Sequence, residues 1–158
     1  PVERWDAVIA INLSGAFYAI RAALPGMKAR GYGRIINISS AHGLVASKEK
    51  AAYVAAKHGL LGLTKVVALE NAQSDITCNA ICPGWVLTQL VQKQIDARAA
   101  NGGIGAEQAK RDLVSEKQPN QRFATVEEIA EAALYLCGPG SRAVTGIALP
   151  VDGGWTAQ

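Results

Sequence analysis

The chain has 158 residues, of which 49% are hydrophobic, and its formal net charge is +3. This length fits one domain with a buried core, and no uncharged apolar run approaches the ~20 residues that cross a bilayer, so we expect no membrane span. Its lysines and arginines are scattered instead of following one another along a stretch that could bind a phosphate backbone, so we expect no nucleic-acid partner.

The first predicted elements are a long helix and a short buried strand. Residues from Val2 to about Lys28 carry apolar side chains at spacings of three and four, which is typical of an amphipathic helix. We expect Gly31-Tyr32-Gly33 to cap this helix, because glycine readily ends a helix and because a phosphate-binding turn would follow a strand instead. The β-branched run Arg34–Ile38 then predicts a strand.

The middle of the chain repeats the pattern of a helix followed by a strand. Residues Ala51–Glu70 are apolar nearly all round, which predicts a helix that is buried on more than one side. Residues Ile76–Cys82 predict a second strand, which Pro83-Gly84 ends. The two strands with their helices indicate a parallel α/β sheet in a single domain.

The last third begins with a polar, helix-prone segment, residues 85–119, which we expect to lie over the strand ends. Within it, Gly102-Gly103-Ile104-Gly105 follows a helical stretch and not a strand, so we expect a loop without a phosphate. Thr125 and Glu128 form a predicted capping box for a helix that ends at Cys137. A short strand, Ile147–Val151, precedes the turn Asp152-Gly153-Gly154.

Two of the three cysteines lie on one predicted strand. Cys78 and Cys82 would be ~13 Å apart at ~3.3 Å per residue, too far to form a disulfide or to share a zinc ion. We therefore expect buried reduced thiols and no metal site. The first residues show no basic start followed by an apolar stretch, which is how a signal peptide begins, so we expect a cytoplasmic protein.

The sharpest chemical pattern is Tyr53 followed by Lys57 on the predicted buried helix. A spacing of four places both side chains on one face, one turn apart. An ordinary phenol has a pKa of ~10, but a fixed ammonium beside it stabilises the phenolate. Tyr53 could then exchange a proton with an alcohol.

Two further polar positions support this interpretation. Ser39 and Ser40 follow the first strand, at the edge where α/β enzymes bind their ligands, and the Ser40 hydroxyl could bind a reacting oxygen beside Tyr53. Asn12 lies in the interior of the first helix, where asparagine is unfavourable, so it is there either by chance or because its amide has a use.

Together these motifs resemble the short-chain dehydrogenase/reductase family, and the similarity runs from the first residue to the last. The motifs occur in the family's order: Asn12 within Ile11–Phe17, the strand ending at Ser40, Tyr53 to Lys57, Cys82-Pro83-Gly84, and Val151-Asp152-Gly153-Gly154. The resemblance implies an α/β fold, a Rossmann-like doubly wound parallel sheet, represented here by its C-terminal strands and helices. Residues 1–158 would be the C-terminal catalytic part of one domain, with residues 85–119 as a substrate lid.

The resemblance also implies a role for each site residue. Tyr53 would be the general acid and base, Ser40 would orient the substrate oxygen, and Lys57 would assist Tyr53 and bind the nicotinamide ribose. Asn12 would hold a water of the proton relay from a distortion in its helix. The nicotinamide side of NAD would be bound by Tyr53, Lys57, Pro83, Gly84, Trp85, Val86 and Thr88.

Within this family the chain resembles the branch that interconverts D-3-hydroxybutyrate and acetoacetate. His42, Lys50 and Gln94 match polar positions that would hold the carboxylate of a small hydroxy or keto acid, beside Ser40 and Tyr53. One cation with hydrogen-bond donors suits such an acid better than a thioester, whose reacting end is neutral.

The resemblance predicts that the glycine-rich turn for the phosphates, and the residue that selects NAD or NADP, belong to a preceding half absent from these residues. We therefore expect the 158 residues alone to have no dehydrogenase activity. A homotetramer is implied, since Ala51–Glu70 resembles the family's oligomer-forming helix. Two alternatives are a short-chain 3-oxoacyl-thioester reductase, which would need an open lid and a basic patch, and a non-catalytic assembly module.

Overall fold

The computed structural model describes residues 1–157. It begins with one long helix in three segments: α1 (Val2–Ile9), a π-helical turn (Ala10–Ser14) and α2 (Gly15–Arg30). The predicted helix is confirmed, and it extends two residues beyond the predicted end at Lys28. Gly31 ends it in the left-handed region at φ 68°, a conformation that favours glycine.

This first helix contacts the rest of the chain along one narrow side, and Ile20 is its one buried residue among the described residues. By length and composition alone it could cross a bilayer, a criterion that the core helices of globular proteins also meet. The absence of a membrane span therefore stays a prediction.

Three parallel strands form the sheet, in the order β1 (Tyr32–Ile38), β2 (Asp75–Pro83) and β3 (Ala148–Val151). The predicted strands are confirmed with shifted ends. β1 begins two residues early because Tyr32 and Gly33 pair with the first residues of β2. The prediction that Gly31-Tyr32-Gly33 caps the helix is thus right only for Gly31.

Helix α3 (Ala51–Glu70) has the predicted bounds and packs against β2 on one side and the first helix on the other. Gly59 permits the second contact, because a Cβ there would lie 2.9 Å from a methyl carbon of Leu13 in the π-helical turn. A core cluster joins the first helix, the strands and α3: Ile20, Ile35, Val67, Ala68 and Cys78. Burial of α3 on two sides confirms the prediction from its composition.

The segment after β2 contains two helices, α4 (Gln89–Gly102) and α5 (Ala106–Ser115). The Thr88 side chain caps α4, and Gly103 follows it at φ 60°, so the glycine cluster forms a helix end and a loop, as predicted. The two helices bury a core of their own: Val91, Ile95, Ala109, Leu113, Val114 and Phe123. This separate core makes the segment a compact cover beside the sheet.

Helix α6 (Val126–Cys137) begins with the predicted capping box, in which Thr125 and Glu128 accept each other's backbone N–H. Cys78 and Cys82 are buried free thiols, as expected, and Cys137 is exposed. Burial raises the pKa of Cys78 to about 12, so this thiol stays protonated. Within residues 1–157 no three histidine, cysteine or acidic side chains converge as metal ligands would.

At the amino ends of the strands, charged side chains tie β1 to β2. The Arg34 guanidinium is nearly buried and donates to the Asp75 carboxylate at 2.8 Å and to the Asp75 carbonyl at 2.8 Å. It also lies 4.5 Å from the centre of the Tyr32 ring, and Arg142 approaches the other Asp75 oxygen at 3.4 Å. This charged cluster lies at the end of the sheet opposite the predicted site.

Candidate active site

A cavity of about 450 Å³ opens at the carboxyl ends of β1 and β2, where parallel α/β sheets bind their ligands. It brings together most of the residues that the sequence predicted for cofactor and substrate. Its walls are Ser40, His42, Lys50, Tyr53, Gly84, Trp85, Val86, Thr88, Leu90, Val91, Gln94 and Trp155. The lining does not include Asn12, Lys57 or Pro83.

Ser40 stands at the point where β1 gives way to a short 3₁₀ turn, Ala41–Gly43. Its backbone is extended and its hydroxyl accepts the His42 backbone N–H at 3.1 Å, so the turn is capped by the residue expected to orient a substrate oxygen. Ser39, by contrast, turns away from the cavity and donates to the Lys57 carbonyl at 3.2 Å. Ser40 therefore lines the cavity and Ser39 does not.

Tyr53 and Lys57 lie one turn apart on α3, with the Lys57 ammonium 5.6 Å from the centre of the Tyr53 ring. The ammonium donates to the Ile38 carbonyl at 2.9 Å, so the end of β1 fixes its position. Burial lowers the pKa of Lys57 from its ordinary value. The geometry therefore places the Lys57 amino group beside the Tyr53 ring, as the spacing predicted, while burial works against its charged form.

His42 is buried beside the cavity and packs between two aromatic rings. The centre of its ring lies 5.9 Å from that of Tyr53 and 5.0 Å from that of Trp155, both edge-on. Burial, with the charges of Lys50, Lys117 and His58, lowers the pKa of His42 to about 4. The imidazole is therefore neutral at physiological pH, and Lys50 lines the same cavity.

The turn from Pro83 to Thr88 forms the opposite wall, and two buried residues from later in the chain, Gln118 and Asp152, pack against it. The Trp85 backbone N–H donates to Oε1 of Gln118, which is almost fully buried. A Cβ on Gly84 would collide with this oxygen and lie 2.9 Å from the Asp152 Cα, so only glycine fits there. The wall is consequently fixed in place.

These residues fit the nicotinamide end of a dinucleotide. A flat ring bearing an amide needs an apolar surface and polar groups at its edge, and here Val86 and Leu90 offer the surface and Thr88 offers a hydroxyl. In addition, the indole N–H of Trp85 is buried without a hydrogen-bond partner within the described residues. Buried donors are normally paired, so this orphan supports a missing ligand or water.

Asn12 lies in the π-helical turn, so the distortion that the family resemblance implied is present. Its amide nitrogen donates to the Val8 carbonyl at 3.1 Å, and its amide oxygen accepts no hydrogen bond from residues 1–157. π-Helical turns cost hydrogen bonds and occur often at functional sites. The helical periodicity alone could not have revealed this turn.

Three cavity residues were missed by the sequence-based prediction. Leu90 and Val91 belong to the first turn of α4, and Trp155 follows the turn Asp152-Gly153-Gly154. Asp152 positions Trp155 by accepting the Gly154 and Thr156 N–H groups at 3.0 Å each. The only signal in the sequence was an aromatic residue directly after a turn motif.

Comparisons with known proteins agree with this geometry. A family model described as enoyl-(acyl carrier protein) reductase, from the short-chain dehydrogenases, matches residues 1–156. The chain belongs to the short-chain dehydrogenase/reductase family. The actinorhodin polyketide ketoreductase, solved with NADPH, superimposes with a TM-score of 0.91 at 38% identity, over 100% of this chain and 61% of its own. The Rossmann-like fold predicted from the sequence is thereby confirmed.

Two curated relatives are named D-beta-hydroxybutyrate dehydrogenase. The protein from Cupriavidus necator is 61% identical and that from Rhizobium meliloti 58% identical, each over the whole of this chain. The similarity to this branch of the family, predicted from His42, Lys50 and Gln94, is confirmed. The chain spans 61% of the length of each relative.

Proposed function

We propose that the chain carries the catalytic part of an NAD-dependent oxidoreductase that interconverts D-3-hydroxybutyrate and acetoacetate. The observation that carries the proposal is the cavity in which Ser40 and Tyr53 meet the cation Lys50 and the neutral side chains His42 and Gln94. A short hydroxy acid has one reacting oxygen and one carboxylate, and this cavity offers hydrogen-bonding partners to both. The names of the two relatives support the same substrate.

In this proposal Tyr53 takes the hydroxyl proton during oxidation and returns it during reduction, while Ser40 binds the same oxygen. The Lys57 ammonium, 5.6 Å from the centre of the Tyr53 ring, assists this proton transfer and binds the nicotinamide ribose. Asn12 holds a relay water through its free amide oxygen. The carboxylate lies against Lys50, His42 and Gln94.

Pro83, Gly84, Trp85, Val86 and Thr88 would hold the nicotinamide end of NAD, which supplies or accepts the hydride when bound. Residues 1–157 contain no glycine-rich turn that follows a strand and opens a helix. We therefore propose that the 158 residues alone are inactive, and that the whole protein is a cytoplasmic homotetramer acting on a small hydroxy or keto acid.

The test is the absorbance of reduced nicotinamide after D-3-hydroxybutyrate and NAD are added. It is made on this chain and on a version that carries the N-terminal segment of its Cupriavidus relative. We expect a signal only from the longer version, and Tyr53→Phe should lower kcat by about 10²–10⁴ because the proton carrier is lost. The proposal would be refuted if the longer version folds and binds NAD but converts neither D-3-hydroxybutyrate nor acetoacetate.

One observation favours a second candidate, the thioester reductase. A groove of about 260 Å³ outside the cavity is lined by Lys110, Arg111 and Arg122, with Glu107 as an opposing charge. Such a basic groove could accept an anionic carrier. Higher kcat/KM for a 3-oxoacyl thioester than for acetoacetate would favour this candidate, and loss of that preference in Lys110→Gln would link it to the groove.

A further inference from the structure

His42 is held from three sides, and one of its nitrogens already has a partner. The rings of Tyr53 and Trp155 fix the plane of the imidazole, and its Nε2 lies 2.9 Å from the Ser47 hydroxyl oxygen. The ring lines the cavity, whereas Ser47 is not among the cavity residues. The nitrogen left for a ligand is therefore Nδ1.

A neutral imidazole has one N–H, and the partner of one nitrogen decides which nitrogen carries it. A carboxylate can only accept hydrogen bonds, so it gains from Nδ1 only when Nδ1 bears the proton. A serine hydroxyl that donates to Nε2 imposes this tautomer. Lys50 supplies the charge nearby, so the ring itself need not be protonated.

We propose that Ser47 is a positioning residue that donates its hydroxyl proton to Nε2 of His42, so that Nδ1–H binds the substrate carboxylate. This inference rests on the proposed function for the identity of the carboxylate. In this proposal Ser47, a side chain outside the cavity, determines which tautomer His42 adopts.

The chain makes this arrangement with one short loop. Ser47 lies between the 3₁₀ turn that carries His42 and the start of α3, and the same loop ends at Lys50. Glu49 adopts φ 63°, a left-handed conformation that is unfavourable for glutamate, and it directs the chain into α3. One loop thus carries both Ser47, the partner of His42, and Lys50, the cation of the cavity.

The first test is kinetic and uses the longer version, which carries the N-terminal segment of the Cupriavidus relative. We expect Ser47→Ala to raise KM for acetoacetate about tenfold with kcat changed less than about twofold, since a hydrogen bond to a charged group is lost. Ser47→Thr, which keeps a hydroxyl, should restore KM. The KM for methyl acetoacetate, which has no carboxylate, should be the same in all three proteins.

The second test reads the tautomer directly from the ¹⁵N signals of the His42 ring. We expect a protonated Nδ1 in the wild type and an increased Nε2–H form in Ser47→Ala. In His42→Asn the side-chain amide nitrogen takes the place of Nδ1, and an amide has no second tautomer for Ser47 to select. Adding Ser47→Ala to this variant should therefore change the KM for acetoacetate little. Ser74→Ala, which removes a hydroxyl bonded to the Asn71 carbonyl at the far end of α3, is the matched control.

The two proposals fail separately. An unchanged His42 tautomer in Ser47→Ala, or an unchanged KM for acetoacetate, would overturn the role of Ser47 while leaving the oxidoreductase proposal intact. Absence of turnover by the wild type would refute the proposed function, and the ring signals would still show whether Ser47 sets the tautomer.

Discussion

The imidazole of His42 combines burial with neighbouring positive charge. Both favour the neutral ring, and its pKa of about 4 lies below the ordinary value of 6.5. Lys50 and Lys117 come from different parts of the chain, yet each lies over an indole ring, of Trp85 and Trp155 respectively, near the cavity. Two lysine side chains thus lie over aromatic rings near the cavity, and a neutral imidazole stands in its wall.

This lowered pKa predicts how stability depends on pH. Between pH 6.5 and about 4 the unfolded chain binds a proton at His42 that the folded chain does not, so the free energy of unfolding falls as pH falls. The loss is about 3 kcal/mol at most. His42→Asn should lessen this dependence in urea unfolding followed by circular dichroism at pH 7 and 4.5.

The matched control is the exposed Ser74. Ser74→Ala should keep the wild-type difference between the two pH values, because it removes no titratable group and leaves the surroundings of His42 unchanged. Equal differences in His42→Asn and the wild type would contradict the assignment of this pH dependence to His42.

At the scale of elements, the turn after β2 depends on a position where only glycine fits. Gly84→Ala should lower the free energy of unfolding by about 1–3 kcal/mol, because the new methyl group would displace Gln118 or Asp152. Gly105→Ala is the control, since a Cβ there meets nothing within 4 Å. Equal chemical denaturation midpoints for the two variants would contradict this packing.

The elements also show what the sequence could and could not predict. Composition and spacing were sufficient for α3 and for the capping box at Thr125, since local patterns determine both. The start of β1 depends on pairing with Asp75, which lies on another strand, and no local pattern records such a partner. The π-helical turn, in which Leu13 packs against Gly59 on α3, likewise has no local pattern in the sequence and was expected only through the family resemblance.

The candidate site likewise contains residues that the sequence could predict and residues that it could not. Ser40, Tyr53 and Lys57 could be predicted because a strand end and one helical turn place them together. Trp155 and Ser47 could not be predicted. Ser47 reaches His42 from the loop before α3, and Trp155 reaches it from the turn after the last strand. Contacts made by an irregular loop, as by Ser47, or between side chains distant in the sequence, as by Trp155, leave no periodic pattern to detect.

At the scale of the whole molecule, α3 has one side that the chain itself does not cover. Val66 is 51% and Leu69 78% exposed on a helix whose other faces are buried. The proposed homotetramer would bury these side chains. Leu69→Glu should therefore shift the longer enzyme toward smaller species in analytical ultracentrifugation, with the fold retained by circular dichroism.

Its control is Leu134→Glu on α6, which places the same charge on another exposed leucine, 63% accessible. If α3 forms the dominant contact, this variant should dissociate less than Leu69→Glu. A longer enzyme that sediments identically with and without Leu69→Glu would refute an interface on α3.

The sheet carries its charged cluster of Arg34, Asp75 and Arg142 at one end and its cavity at the other. The charged cluster and the cavity lining share no residue and lie at opposite ends of the almost completely buried strand β2, so changes at the two ends should act nearly independently. Laboratory evolution could therefore search for heat tolerance at the first end and for new substrates at the second in separate libraries. Gains from the two searches should combine nearly additively, which makes this fold easy to improve one property at a time.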